Sequence, residues 1–311
     1  MTESAEPSGP TLVDMIEVPH ALADRLARHG GEAGRAFATA LPDLAGEFLD
    51  RWELTPGGPP MHGWSALALP VTGPDGAESV LKLQVLDEET VGEPVALRAW
   101  DGAGAVRLLR HDPATNTILL ERLDPARDLT SVEDPREAVR LLAGLLARLT
   151  ALPAPAGLRG LGDVAADMLA EVPDALPLLG DEDERRLLAD CAAAVREVAG
   201  EPGDRLLHWD LHYENVLAGD REPWLAIDPK PLAGDPGFDL MPALDNRFDP
   251  AAAEIRWRFD LLTDALGLDR ERARAWTLAR VLQNSLWDLE DGEPGLAAEQ
   301  TRVARVLLGR E

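Results

Sequence analysis

The sequence has little cysteine and little lysine. Its 311 residues include one cysteine, Cys191, so no internal disulfide can form, which fits a reducing cytoplasm. Cys191 lies in an apolar helical pattern, and we interpret it as a small buried hydrophobic residue rather than a nucleophile. Lys82 and Lys230 are the two lysines among 30 basic residues. A lysine retained in an arginine-rich chain indicates a position where a compact ammonium group is needed.

The sequence also lacks long apolar runs and an excess of positive charge. No run approaches the roughly 18 apolar residues of a membrane span. The opening MTESAEPSGP lacks the basic and then apolar pattern of a signal peptide, and we expect it to be a frayed tail. The net charge of -26 would repel a phosphate backbone, so we expect no nucleic-acid partner. The same charge would attract a cationic small molecule, although it equally serves solubility. We expect a cytoplasmic monomer that does not bind membranes.

Periodicity divides the chain into a β-rich part and a helical part. Residues 32–52 predict a helix with a break near Pro42, followed by a Gly/Pro-rich loop at 54–63. Alternating apolar residues then predict a hairpin and two further strands before Leu123. The later segments have mostly helical periodicity. We therefore expect an α+β protein with an N-terminal lobe over 1–122 and a mainly helical C-terminal lobe over 123–311.

The stretch HWDLHYEN concentrates polar chemistry between apolar flanks. His208, Asp210 and Asn215 form an H-x-D-x-x-x-x-N frame, and Asp228 follows the apolar strand WLAI. Phosphoryl transfer needs such a set, because one carboxylate receives the proton of the attacking hydroxyl. An asparagine oxygen and a second carboxylate can then hold magnesium, which prefers oxygen ligands.

Two other interpretations of this stretch stay open at this point. A metal hydrolase could use His208, Asp210, His212 and Asp228 as ligands, but no distant H-x-H or H-E-x-x-H motif completes such a site. A capped loop between two buried strands would explain one or two of the polar residues, but not all of them together.

Lys82 is the second candidate for function. In VLKLQV the alternation puts Lys82 on the face opposite the apolar Leu81 and Leu83, so we expect it to face a cleft. A strand lysine in such a place needs an acidic partner. Glu93 is our candidate, with Glu89 as a competitor, because the proline at position 94 is compatible with a helix only near its start.

These motifs together resemble one known family. The segments RWEL, LKLQ, HWDLHYENVLA, REPWLAIDPKPL, GDPGFDL and LARVLQNSLWDLEDG are similar to those of the aminoglycoside phosphotransferases, bacterial antibiotic kinases with a protein-kinase-like two-lobe fold. The similarity spans almost the whole chain, and it is greatest to the branch that phosphorylates streptomycin and hydroxyurea.

The resemblance implies a cofactor set of ATP and Mg²⁺ and a role for each motif residue. Asp210 would be the catalytic base in contact with the acceptor hydroxyl, and Asn215 and Asp228 would bind Mg²⁺. Lys82, held by Glu93, would contact the α- and β-phosphates under a nucleotide-covering loop. The backbone from Glu121 to Leu123 would read adenine. Asp239 would order the catalytic loop, and the role of Lys230 stays open because many relatives carry a small or acidic residue there.

The resemblance also implies the acceptor. Streptomycin carries two guanidinium groups, which favour paired carboxylates and an aromatic face. The end of the last long helix offers Trp287, Asp288, Glu290 and Asp291, although an ordinary solvated helix end would look the same. We expect an ATP-dependent kinase that inactivates streptomycin at its 6-hydroxyl. The alternatives are a kinase of hydroxyurea or of a native metabolite, and a nucleotide-binding pseudokinase.

Overall fold

The computed structural model describes residues 16–310, so the expected frayed tail lies outside the described residues. Backbone contacts divide the chain into two units. The first unit runs to Pro94 and resumes over Arg107–Arg122, and the second comprises Val95–Val106 and the chain from Leu123 onward. One break between the units thus falls at residue 122, whereas residues 95–106 group with the second unit.

The first unit contains a six-stranded antiparallel sheet. The strands are β1 Thr55–Pro56, β2 Met61–His62, β3 Ala66–Thr72, β4 Glu78–Gln84, β5 Leu108–Asp112 and β6 Thr117–Glu121. Their order is β1-β3-β4-β6-β5, with β2 also paired to β3. The central hairpin pairs Ala68 with Lys82, and Lys82 also pairs with Ile118 of β6, so the lysine lies in the middle of the sheet.

Two helices cover the core of this sheet. They are α1 His20–His29 and α2 Gly31–Arg51, and they bury Leu41, Phe48 and Leu49 against the strand leucines. The predicted break at Pro42 is wrong, because α2 runs through that residue. A proline removes one backbone hydrogen bond from a helix, and here the apolar residues on both sides of it are buried and keep the helix in place.

The second unit is mainly helical. Its helices are α3 Glu93–Trp100, which begins in the first unit, α4 Pro135–Leu149, α5 Leu161–Ala175, α6 Glu182–Val198, α7 Met241–Asp245, α8 Ala252–Leu266, α9 Arg270–Glu290 and α10 Ala298–Leu307. Aspartate N-caps satisfy the first amide groups of α4, α6 and α9. Cys191 is buried in α6, where burial raises the pKa of its thiol to about 12, as expected for an unreactive cysteine.

Two small sheets of this unit carry the loops of interest. The strands are β7 Asp124–Asp128, β8 Arg159–Gly160, β9 Arg205–Leu207, β10 Val216–Ala218, β11 Leu225–Ala226 and β12 Leu232–Gly234. One sheet has the order β11-β10-β7 and the other β8-β12-β9. Both the β9–β10 and the β11–β12 connections therefore link one sheet to the other. Among residues 16–310, no helix combines the length and apolar character needed to cross a membrane.

Candidate active site

His208, the first residue after β9, is a buried anchor for the loop. Its Nε2–H donates to the carbonyl of Ile227 at 3.0 Å, and its Nδ1 lies 3.4 Å from the amide of Asp210, from which it accepts. Burial lowers the pKa of His208 to about 3, so the ring is neutral. Because both ring nitrogens are engaged within the chain, the metal-hydrolase interpretation loses its first ligand.

Asp239 holds the peptide that precedes the candidate base. Its carboxylate accepts hydrogen bonds from the backbone N–H of His208 at 2.9 Å and of Trp209 at 2.8 Å. The side chain is buried, which raises its pKa to about 6 against the opposing effect of the two N–H donors. These contacts match the expectation that Asp239 orders the loop.

Asp210 follows at the mouth of this loop and is partly buried. Burial raises the pKa of its carboxyl group, and the charge of Asp228 acts in the same direction. Electrostatic interactions with His212, Arg280 and Lys230 lower the pKa of Asp210 and so oppose this effect. A carboxylate of raised basicity is suited to accept a proton from a hydroxyl group.

Asn215 closes the loop five residues later. Its Nδ2–H donates to the backbone carbonyl of Asp210 at 2.8 Å, which leaves the amide oxygen as the atom that can serve a cation. Asp228 follows β11 with a left-handed backbone at a φ of 55°. One of its carboxylate oxygens lies 3.5 Å from the Nζ of Lys230. The Asp228 carboxylate is therefore positioned to interact with positive charge.

The donor set fits a magnesium site that is completed by phosphate oxygens. An amide oxygen and a carboxylate are hard ligands, and Mg²⁺ is commonly bound by one or two protein groups plus substrate phosphates. In the part of the chain that the structure describes, no group of three or more His, Cys, Asp or Glu side chains is arranged to hold a metal ion. The histidine-rich alternative is thus not supported by the geometry.

Lys82 and Glu93 form a buried ion pair within the first unit. The Lys82 Nζ lies 2.8 Å from each carboxylate oxygen of Glu93. Their side chains are 9% and 1% exposed. Glu93 is the first residue of α3, so Pro94 follows at a position that tolerates proline. Of the two candidates, Glu93 provides this bidentate contact.

The segment predicted to bind adenine, Glu121 to Leu123, makes contacts within the protein that any strand end could make. Glu121 is the last residue of β6, and its Oε1 accepts from the backbone N–H of Arg107 at 2.9 Å. Leu123 is buried and lies just before β7. These contacts fix the backbone but do not themselves assign a ligand.

The residues predicted to bind the acceptor lie at the end of α9. Trp287 is 40% exposed, and its ring centroid lies 6.0 Å from that of Trp209 in the catalytic loop. Asp288 is partly buried, and burial, Glu293 and Asp291 raise its pKa. Glu290 and Asp291 are exposed. The structure therefore brings Trp287 beside the catalytic loop, whereas the carboxylates extend toward the helix end.

The sequence analysis missed two residues of α9 that contact the loop. Arg280 and Gln283 are buried, and the guanidinium of Arg280 lies 5.4 Å from the ring of Trp209. The sequence signal was a charged and an amide side chain three residues apart inside the apolar run LARVLQNSL. Asp245, at the end of α7, is a further carboxyl group near Arg280, and burial raises its pKa to about 7.

The sequence of this chain is similar to a family of kinases and to individual members of that family. Residues 51–292 match the family model of the aminoglycoside/hydroxyurea antibiotic resistance kinases. A hydroxyurea phosphotransferase from Kitasatospora aureofaciens is 63% identical over 95% of this chain and 87% of its own length. A streptomycin 6-kinase from Streptomyces glaucescens is 58% identical over 95% of this chain and 98% of its own length.

The fold has solved counterparts. A similarity to a crystal structure of an aminoglycoside phosphotransferase covers 88% of this chain and 99% of that chain, with a TM-score of 0.59 at 15% identity. The likeness confirms the expected α+β, protein-kinase-like fold.

Proposed function

Because the chain belongs to the aminoglycoside/hydroxyurea antibiotic resistance kinases, we propose that it transfers a phosphoryl group from ATP to the 6-hydroxyl of streptomycin and so inactivates the antibiotic. The observation that carries this proposal is the loop around Asp210. Asp239 fixes the peptide before the carboxylate, and Asn215 fixes the carbonyl of Asp210 itself. The streptomycin acceptor is supported by the 58% identity to a streptomycin 6-kinase.

Asp210 acts as the base in this proposal. Its carboxylate accepts the proton of the acceptor hydroxyl as that oxygen attacks the γ-phosphorus, and the bond to the ADP leaving oxygen breaks. Asn215 and Asp228 would hold Mg²⁺, which when bound neutralises charge on the phosphates. The backbone hydrogen bonds to Asp239 keep Asp210 oriented while the charge moves.

Lys82 and the segment before β7 handle the nucleotide. The Lys82 ammonium contacts the α- and β-phosphates, and Glu93 orients it through the two 2.8 Å contacts. The backbone from Glu121 to Leu123 reads the adenine ring. This division of labour leaves Asp210 free of ATP binding, so catalysis and nucleotide affinity can be separated by mutation.

The end of α9 binds the cationic acceptor. Asp288 and its acidic neighbours Asp291 and Glu293 repel one another, because each neighbour raises the pKa of Asp288 after the larger effect of burial. A guanidinium group would relieve that repulsion, because it can donate two parallel hydrogen bonds to one carboxylate. Trp287 offers an exposed ring beside the catalytic loop, and Glu290 completes the proposed set.

Hydroxyurea is the second candidate acceptor. The 63% identity to a hydroxyurea phosphotransferase favours it. Hydroxyurea is small and carries no guanidinium, so it would make no use of a carboxylate pair on α9. The two acceptors therefore make different predictions for variants at the end of that helix.

The test is a coupled ATP-consumption assay of the purified full chain. ATP consumption with streptomycin, kanamycin or hydroxyurea is compared with that of a sample without acceptor. The products are identified by mass spectrometry and by NMR of the carbon that bears the phosphorylated oxygen. We expect ATP-dependent phosphorylation of streptomycin at carbon 6. Turnover with hydroxyurea and none with streptomycin would show that hydroxyurea, and not streptomycin, is the acceptor. Wild-type turnover in Asp210→Asn would refute the assignment of Asp210 as the base.

A further inference from the structure

Trp209, between the buried His208 and the base Asp210, has an unusual backbone. Its φ is 67°, in the left-handed region that a bulky side chain rarely occupies. Such a conformation persists only when the surroundings hold it. Asp239 holds the backbone amide of Trp209 at 2.8 Å. The indole of Trp209 is held as well, by a hydrogen bond to Gln283.

Helix α9 holds the indole through one shared oxygen. The Nε1–H of Trp209 donates to the Oε1 of Gln283 at 3.1 Å. The same oxygen accepts from Nη1 of Arg280 at 2.7 Å. Arg280 and Gln283 are three residues apart on one face of α9 and are 7% and 5% exposed. A buried amide oxygen with two donors fixes both of them in place.

The guanidinium of Arg280 is also packed among aromatic rings. It lies 5.4 Å from the ring of Trp209, 5.3 Å from that of Trp287 and 5.8 Å from that of Phe238. These are cation–π distances, and such contacts strengthen when the charge is desolvated. The guanidinium of Arg159 lies 5.0 Å from the Trp209 ring as well. The indole is thus restrained by contacts that lie far from it in sequence.

We propose that Arg280 and Gln283 are positioning residues for the catalytic base, because they hold the Trp209 indole and so fix the backbone from which Asp210 projects. The inference rests on the proposed function, in which Asp210 receives the acceptor proton. Neither residue need touch ATP or the acceptor for this role. A rotation of the Trp209 peptide would displace the adjacent carboxylate, and a displacement of about 1 Å can cost on the order of 100-fold in rate.

The experiment is a double-mutant cycle on the indole hydrogen bond. The variants are Trp209→Phe, Gln283→Leu and their combination, assayed with ATP and streptomycin. We expect each single change to lower kcat by roughly 10- to 100-fold, with the KM for ATP unchanged. The double variant should lose no more than the worse single variant, because both remove one interaction. Gln283→Glu, which keeps an acceptor oxygen, should recover most of the kcat that Gln283→Leu loses.

A matched control separates this role from general damage to α9. Arg274→Met removes an arginine that pairs with Glu271 on the same helix, and it should leave kcat unchanged. Arg280→Met should lower kcat at constant KM for ATP, and Arg280→Lys should recover part of the loss. Thermal midpoints check that each variant folds. If Gln283→Leu does not fold, the kcat of Trp209→Phe alone decides between the two outcomes.

Two outcomes would overturn the proposal. One is unchanged kcat in Trp209→Phe, and the other is a double variant whose loss equals the product of the two single losses. Asp210→Asn is assayed in parallel. Wild-type turnover in Asp210→Asn would overturn the proposed function together with this inference. Lost turnover in Asp210→Asn with wild-type kcat in Trp209→Phe would overturn this inference alone.

Discussion

The buried ion pair between Lys82 and Glu93 allows stability and catalysis to be tested separately. Glu93→Leu removes the carboxylate and leaves the ammonium of Lys82 in a site where its side chain is 9% exposed. Breaking a buried pair by removing one partner costs about 3–5 kcal/mol, against roughly 0–1 kcal/mol for a surface pair. The bidentate 2.8 Å geometry assigns this pair to the first class. Since the free energy of unfolding of a typical protein is about 5–15 kcal/mol, the expected loss is a large fraction of the stability.

The second variant replaces both partners. Lys82→Met with Glu93→Leu puts two apolar side chains where two charges were, and such replacements are often neutral or stabilising. We expect this double variant to regain most of the free energy of unfolding lost by Glu93→Leu. It should nevertheless have no measurable phosphoryl transfer, because the variant lacks the ammonium that we propose contacts the phosphates. Stability and activity would then change in opposite directions.

Urea unfolding followed by circular dichroism measures the stability, and the coupled assay measures turnover. Glu78→Leu is the matched control, since Glu78 is an exposed residue at the start of the same strand β4. It should change the free energy of unfolding by no more than about 0.5 kcal/mol. Two results would refute this prediction: a free energy of unfolding for Glu93→Leu within about 1 kcal/mol of the wild-type value, as for a surface pair, or a double variant that is less stable than Glu93→Leu.

Four further outcomes are expected. Asp210→Asn should lose about 10²–10⁴ in kcat, while calorimetry finds unchanged ATP affinity. Lys82→Arg should raise the KM for ATP or lower kcat, because a planar guanidinium does not reproduce a point contact, and unchanged kinetics at limiting ATP would exclude the phosphate role. Streptomycin should be preferred to kanamycin in kcat/KM, and Glu290→Gln with Asp291→Asn should narrow that margin. Burial raises the pKa of Asp239 from 3.8 to about 6, so the folded chain keeps a proton that the unfolded chain releases. Its contribution to stability is therefore lost as the pH rises through that window, and urea unfolding of Asp239→Asn should show a weaker decline between pH 4 and pH 6.

Local patterns in the sequence predicted the parts of the fold that depend on neighbouring residues. Alternation located β3 and β4 and put Lys82 opposite the leucines, because strand periodicity is a local property. The break at Pro42 was wrong, since the burial that carries α2 through the proline comes from contacts with other elements. Helix α5, Leu161–Ala175, went unrecognised because its internal proline and glycine weaken the periodic signal.

For the candidate site, the sequence supplied residue assignments that stay predictions. The motif frame indicated Asp210, Asn215 and Asp228, and lysine scarcity indicated Lys82. The contacts of Trp209 with Gln283 were not predictable, because 74 residues separate the two in sequence. Neither secondary-structure propensity nor the spacing of residues in a motif predicts a hydrogen bond between a loop and a helix that are so far apart in sequence. Asp239 lies 30 residues after the amide that it accepts from, and its role in ordering the loop was expected from the family resemblance and not from spacing.

The spacing of the H-x-D-x-x-x-x-N frame has a physical reason in this loop. His208 enters as a neutral, buried ring that ties the loop to the carbonyl of Ile227, near the start of the β11–β12 connection. The chain then turns through a short 3₁₀ segment at Tyr213–Asn215, which brings the Asn215 amide back to within 2.8 Å of the Asp210 carbonyl. The backbone carbonyl of Asn215 in turn accepts from the N–H of Ile227, so both ends of the β9–β10 connection are tied to Ile227. One residue more or fewer between Asp210 and Asn215 would rotate the amide away from that carbonyl. The frame is therefore the length at which one hydrogen bond fixes both Asp210, the proposed base, and Asn215, the proposed metal ligand.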